Sequence, residues 1–152
     1  EGAQAGLSWI TVLRKRESYR RVFADFNVEV VSRFTEDDFA RLMNEDGIVR
    51  NRAKIMSAQS NAYCFMQVQS EFGSFSDYLW NFFKGEPLVN CWQDIGQVPS
   101  KTKMSLLISQ DMMARGFKFF GPTICYSYLQ AMGFINDHLE YCFRWSECQT
   151  SY

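Results

Sequence analysis

The chain has 152 residues, 47% of them hydrophobic and 16% aromatic, enough to bury one sizeable core and too short to make two domains the expectation. Sixteen Lys and Arg against seventeen Asp and Glu give a net charge of −1, which excludes a strongly basic, non-specific nucleic-acid binder but leaves room for local basic faces at Arg14, Lys15, Arg16, Arg20 and Arg21 and at Arg50, Arg52 and Lys54. Five irregularly spaced cysteines argue for reduced thiols over a disulfide framework, no apolar run approaches the ~20 residues that cross a bilayer, and no secretory leader is visible.

In chain order the pattern is helical. Ser8 is placed to N-cap a helix reaching about Phe23, with Trp9, Val12 and Leu13 on one face. Thr35 and Asp38 have capping-box spacing and open a short helix with Phe39 and Leu42 inward. After a break at Gly47, a longer helix from about Asn51 carries Ile55, Ala58, Ala62, Phe65 and Val68 as a core stripe. Ser74 and Asp77 cap the next helix, which carries Leu79, Trp80 and Phe83, and residues 84–87 turn. Residues 87–103 predict an extended connection over the surface. Helices over residues 105–115 and 122–132 follow, Gly133 stops the second, and a final helix starts near Asn136. No alternating strand pattern exceeds four residues and no repeat is present, so the predicted fold is all-α.

The turn Arg115-Gly-Phe-Lys-Phe-Phe-Gly-Pro122 is the densest local signal. Gly116 suits a left-handed helix stop, and Gly121-Pro122 opens a helix with Pro at its first position. Unpaired N–H groups at that start, with the helix dipole, form an anion site that Arg115 and Lys118 flank, while Phe117, Phe119 and Phe120 plug the turn into a core. Two readings are open: a helix-hairpin-helix holding a nucleic-acid phosphate, or an ordinary αα-hairpin with an apolar turn. Glycine spacing alone favours the second.

Four stretches, residues 1–17, 47–55 and 115–126 and Asn136-Asp137-His138, resemble the bacterial 3-methyladenine DNA glycosylase I family, helix-hairpin-helix repair enzymes, in order and along nearly the whole chain. The resemblance implies a helix-hairpin-helix DNA glycosylase fold. It puts on Glu1 the pocket carboxylate that accepts from the exocyclic amine of the lesion base, on Trp9 a pocket aromatic, and on Gly6 and Leu7 the residues that enter the duplex and fill the gap left by the extruded nucleotide. Without it, Trp9 reads as core and Glu1 as a solvated residue. Arg50, Arg52, Gly116, Lys118 and Gly121 become candidates for phosphate contacts, which position without reading sequence.

Many members of the wider superfamily carry a catalytic Asp where this chain has Asn136, as the 3-methyladenine branch does. Asp137 reads either as a catalytic acid or, more often, as the N-cap of the last helix. His138 and Cys142, four residues apart, are placed on one helical face as half of a tetrahedral zinc site. The resemblance implies a structural zinc completed by an upstream Cys and His. Because Glu1 is not preceded by Met and opens inside a family motif, an upstream zinc-binding and pocket segment is expected to be missing from residues 1–152.

The sequence therefore predicts a monomeric cytoplasmic glycosylase acting on double-stranded alkylated DNA with no membrane contact, releasing 3-methyladenine with water as the nucleophile. The alternatives are a non-catalytic helix-hairpin-helix DNA-binding module, which needs no pocket, and a helical interaction domain, which needs neither pocket nor hairpin.

Overall fold

The computed structural model describes residues 2–149. Nine α-helices are assigned among them: α1 Trp9–Leu13, α2 Arg16–Val22, α3 Val28–Ser32, α4 Glu36–Met43, α5 Arg52–Phe72, α6 Phe75–Phe83, α7 Lys103–Ala114, α8 Pro122–Ala131 and α9 Phe143–Glu147. The two short strands, β1 Leu88–Val89 and β2 Ile135–Asn136, pair in parallel with Leu88 opposite Ile135. The fold is all-α, and this two-stranded ladder only fastens the long connection after α6 to the segment after α8.

Polar residues start the helices where the sequence predicts. Thr35 and Asp38 form a reciprocal capping box on α4, the Asn51 carboxamide caps α5 and the Ser74 hydroxyl caps α6. Each such cap is worth about 1 kcal/mol. Phe39 and Leu42 are buried, as are Ile55, Ala62 and Val68 along α5 and Leu79 and Phe83 on α6.

Other expectations are corrected. The predicted helix from Ser8 to Phe23 is broken at Arg14 and Lys15 into α1 and α2. The last helix does not start near Asn136 but at Phe143, because residues 135–139 pair with residues 88–92 as β2 and an isolated bridge from Leu139 to Trp92. Helix α3, capped by Asn27, was not predicted, since its Val-Glu-Val-Val run has poor helix propensity. It follows a turn in which Ala24, Asp25 and Phe26 all have left-handed φ values of 52°, 53° and 61°, a conformation that costs roughly 1–2 kcal/mol per residue.

The core is two clusters that meet at α5. Ile55 and Ala62 join Phe23, Val31, Phe34 and Leu42 in one, while Cys64 and Val68 join residues of α6, α7 and α8 in the other. Helices α7 and α8 form the predicted hairpin at the edge of the second cluster.

Between those helices, Phe117 N–H donates to Met112 O and Gly116 N–H to Met113 O, both at 3.0 Å. This paired closure satisfies the last carbonyls of α7 and needs a left-handed residue at position 116, where φ is 102°. A Cβ there would also meet Cys64 Sγ at 3.1 Å, whereas one at Gly121 would meet nothing within 4 Å. Gly116→Ala is therefore expected to cost roughly 1–3 kcal/mol in urea unfolding, and Gly121→Ala about 0.5 kcal/mol or less.

Candidate functional site

The hairpin is held from the side by α5. The Asn61 side chain accepts from Lys118 N–H at 2.8 Å and donates to Lys118 O at 2.9 Å, a two-way clasp that the backbone itself cannot supply in a turn. The amides of Gly116, Phe117 and Lys118 are thus engaged. Among the described residues those of Phe119, Phe120 and Gly121 have no acceptor, and they lead directly into Pro122 at the start of α8. They are the amides that can receive an anion. Lys118 is exposed beside them.

The second element is the loop of residues 2–7. It forms a 3-10 turn over Gly2–Gln4 with Ala5 N–H on Gly2 O and Leu7 N–H on Gln4 O. Lys54 of α5 holds it by donating to the carbonyls of Ala3, at 2.9 Å, and Ala5. Gly6 turns with φ of 74°, and Leu7 projects 39% exposed. Trp9 does not pack in either core cluster of the described residues; it is 57% exposed. Glu1 lies outside the described residues.

The loop is a wall between two cavities. Gly2 and Ala3 line an apolar one of about 520 Å³ with Tyr19, Phe23, Lys54 and Asn61. Gln4 and Trp9 line an open cleft of about 610 Å³ with Ser127, Gln130, Asp137 and His138. Gln4 Oε1 is buried with no hydrogen-bond partner among the described residues.

Asp137 is not an N-cap. Its carboxylate accepts from Asn90 Nδ2 at 2.7 Å, Trp92 Nε1 at 2.6 Å, Gln130 Nε2 at 2.7 Å and the Tyr126 hydroxyl. Burial pushes its pKa up, but the four donors outweigh burial and hold it below the usual carboxylate range, whereas burial first and Asp137 second drive the Tyr126 phenol upward. A carboxylate so encircled is poorly suited to give or take a proton near neutrality. Asn136 is likewise occupied, with Nδ2 donating to Trp145 O and Oδ1 accepting from His138 N–H.

The described geometry thus sets a phosphate-sized turn beside a loop that presents an exposed tryptophan to a cleft. Residues 1–145 match the family model for methyladenine glycosylase. The chain belongs to the methyladenine glycosylase family. It is 42% identical over 151 residues to the DNA-3-methyladenine glycosylase of Haemophilus influenzae, covering 99% of this chain and 80% of that one. To DNA-3-methyladenine glycosylase 1 of Escherichia coli it is 43% identical over 142 residues, covering 93% and 76%. It superimposes with a TM-score of 0.91 and 34% identity on a Tyr-to-Phe variant of a 3-methyladenine DNA glycosylase I solved in complex with 3-methyladenine, covering 93% of this chain and 76% of that one.

Within this methyladenine glycosylase the expected zinc is corrected. Among the described residues no three His, Cys, Asp or Glu side chains come together as a metal would require. His138 and Cys142 are not on one helical face, because residues 137–141 are extended and turn and Cys142 only caps α9. Their Nδ1 and Sγ atoms stand 4.0 Å apart as a bare pair, and the five cysteines are free.

Several cations that the sequence offers to DNA are already paired. Arg115 forks onto Glu71 at 2.6 and 3.2 Å, donates to Asp111 at 2.8 Å and lies over the Phe72 and Tyr78 rings, so it braces the hairpin and does not flank the anion site as a free charge. Arg50 pairs with Asp46 and Arg52 with Glu36, both in exposed positions. Sequence reasoning missed Asn61 and the clamping role of Lys54, since their partners are backbone groups far along the chain that no spacing rule reaches. An Asn and a Lys one heptad apart on a core helix were the available signal.

Removing the Asp137 carboxylate orphans four donors. Asp137→Ala is expected to lower unfolding stability by about 3 kcal/mol. Because the folded pKa is depressed, the wild-type contribution is present above the unfolded value of about 3.9 and is lost as pH falls through the folded one. Urea unfolding of Asp137→Asn from pH 7 down to pH 2 should accordingly lack that part of the acid slope.

Proposed function

We propose that the chain is a DNA base-excision glycosylase that turns an alkylated nucleotide out of the duplex and hydrolyses its N-glycosidic bond, releasing 3-methyladenine. The observation that carries the reading is the unbroken family match over residues 1–145, which spans both the loop of residues 2–7 and the hairpin.

In this reading phosphate oxygens settle on the amides of Phe119 to Gly121 with Lys118 beside them, fixing register without reading sequence. Gly6 and Leu7 enter the duplex where the base leaves. Trp9 stacks on the extruded ring and the Glu1 carboxylate accepts from its exocyclic amine. An N3-alkylated adenine is cationic, so a carboxylate and an aromatic face both prefer it to neutral adenine. Guanine presents a carbonyl in place of the amine, which Glu1 repels.

The positive charge also makes the base a good leaving group, and water suffices as the nucleophile. The engagement of both Asn136 and Asp137 in structural hydrogen bonds supports a reaction that relies on selection and extrusion and needs no strong general acid. The family match, which takes in the loop of residues 2–7 and Trp9, favours this over a non-catalytic DNA-binding module, which has no use for a pocket loop at that place. No helix among the described residues is long and apolar enough to cross a membrane. We assign the protein to the cytoplasm as a monomer, in keeping with its free thiols.

Two measurements test the reading. Liquid chromatography of bases released from methylated duplex DNA should show free 3-methyladenine and little 7-methylguanine, and Glu1→Gln or Trp9→Ala should each cost roughly 1–3 kcal/mol in kcat/KM. No released 3-methyladenine with intact duplex binding would leave the DNA-binding module standing. Separately, Gly121→Val, which the fold has room for, should weaken binding to damaged and undamaged duplexes alike. Lys118→Ala should do the same and lower the salt slope by about one.

A further inference from the structure

Lys54 occupies the first turn of α5, where a cation opposes the helix dipole. No ion pair among the described residues includes it, and burial draws its ammonium below the ordinary lysine pKa. What meets the charge is backbone: the Ala3 and Ala5 carbonyls, 51 and 49 residues away in sequence. The ammonium also stands 6.0 Å from the centre of the Phe119 ring, and Phe119 is the hairpin residue with φ of 56°. Gly2 lies nearby: a Cβ in place of its hydrogen would come within 3.7 Å of Phe119 O.

Two helical turns further along, Asn61 holds the backbone of Lys118 from both sides. Residues seven apart share a helical face. One rigid helix therefore grips the two loops that the proposed reaction needs, one through an ammonium and the other through a carboxamide. A lysine set against the dipole and without a carboxylate does little for helix stability. The two carbonyls that accept from it do fix where residues 2–7 stand relative to the hairpin.

We propose that Lys54 is a positioning residue for base excision, clamping residues 2–7 to α5 and to Phe119 so that the pocket side and the duplex-entering tip of that loop keep one register relative to the phosphate-holding amides. This rests on the glycosylase reading above. Two of the three Lys54 donors are held by carbonyls of its own chain, so its proposed role is positional and not that of a phosphate contact. Its loss is felt after the duplex is bound, when the extruded base has to find the pocket in place.

The test is Lys54→Met in the full chain, which keeps the stem and removes the ammonium. Single-turnover release of 3-methyladenine should fall about tenfold to a hundredfold, as expected for misplacement of reacting groups. Affinity for undamaged duplex and its salt slope should stay unchanged. Amide hydrogen exchange should quicken at Ala5 and Leu7, whose bonds to Gly2 and Gln4 close the loop, while exchange along α5 stays as it was.

Unchanged exchange at Ala5 and Leu7 overturns the clamp. Faster exchange with excision within about twofold of the unaltered chain makes it a structural contact only, and a salt slope lower by about one makes Lys54 a phosphate contact. Lys54→Gln, too short to reach both carbonyls, gives the same comparison if the methionine variant does not fold. Failure of the unaltered chain to release any base counts against the glycosylase reading instead, and the two failures stay distinguishable because exchange reports the clamp without turnover.

Discussion

Helix α5 presents two apolar stripes, and both must be covered before any other element has a fixed place. Ile55 and Ala62 draw in α2 to α4 on one side, and Cys64 and Val68 draw in α6 to α8 on the other. Each fully buried aliphatic side chain contributes about 1.5–3 kcal/mol, so the two stripes, with the side chains that pack on them, help offset the cost of ordering the short helices that flank them. Between the stripes run the polar residues Lys54 and Asn61, and these reach the backbone of the loops at either end of the proposed DNA-facing surface. Packing sets the position of the helix; its polar seam then sets the positions of residues 2–7 and 116–118.

What could be read from the sequence was local. Thr35 with Asp38 and Ser74 cap the helices they were expected to cap, and Asn51, expected only as a helix start, also caps, because a side chain three residues from the amide that donates to it needs no tertiary context. Gly116 and Pro122 were legible for the same reason: left-handed backbone and a missing N–H leave few places for either residue. Trp9 was different. Its spacing suits a core stripe as well as a pocket, and among the described residues it stands exposed and outside both core clusters.

What escaped the sequence was non-local. Asp137 has an N-cap's chemistry but spends it on donors at Asn90, Trp92, Tyr126 and Gln130, and with its carboxylate turned away from the following amides the last helix does not begin until Phe143. The zinc expectation failed with it, since His138 and Cys142 share a face only if the intervening residues are helical. Helix α3 formed against weak propensity because Val31 is buried in the first cluster, and tertiary burial overrides a few tenths of a kcal/mol of preference. Asn61 offered only its heptad spacing from Lys54 as a signal, because its partner is a peptide group 57 residues away.

The pairing of Arg20, Arg21, Arg41, Arg50, Arg52, Arg115 and Arg144 with carboxylates leaves the molecule with little long-range field. On the proposed reading, affinity for undamaged duplex then rests on a few local phosphate contacts at the hairpin and falls as salt rises. A repair enzyme must pass an enormous excess of intact nucleotides for each lesion. A protein held by few phosphate contacts can sample by repeated landing and departure, and on the proposed reading the larger part of its binding energy comes when a cationic base is extruded into the groups proposed to receive it.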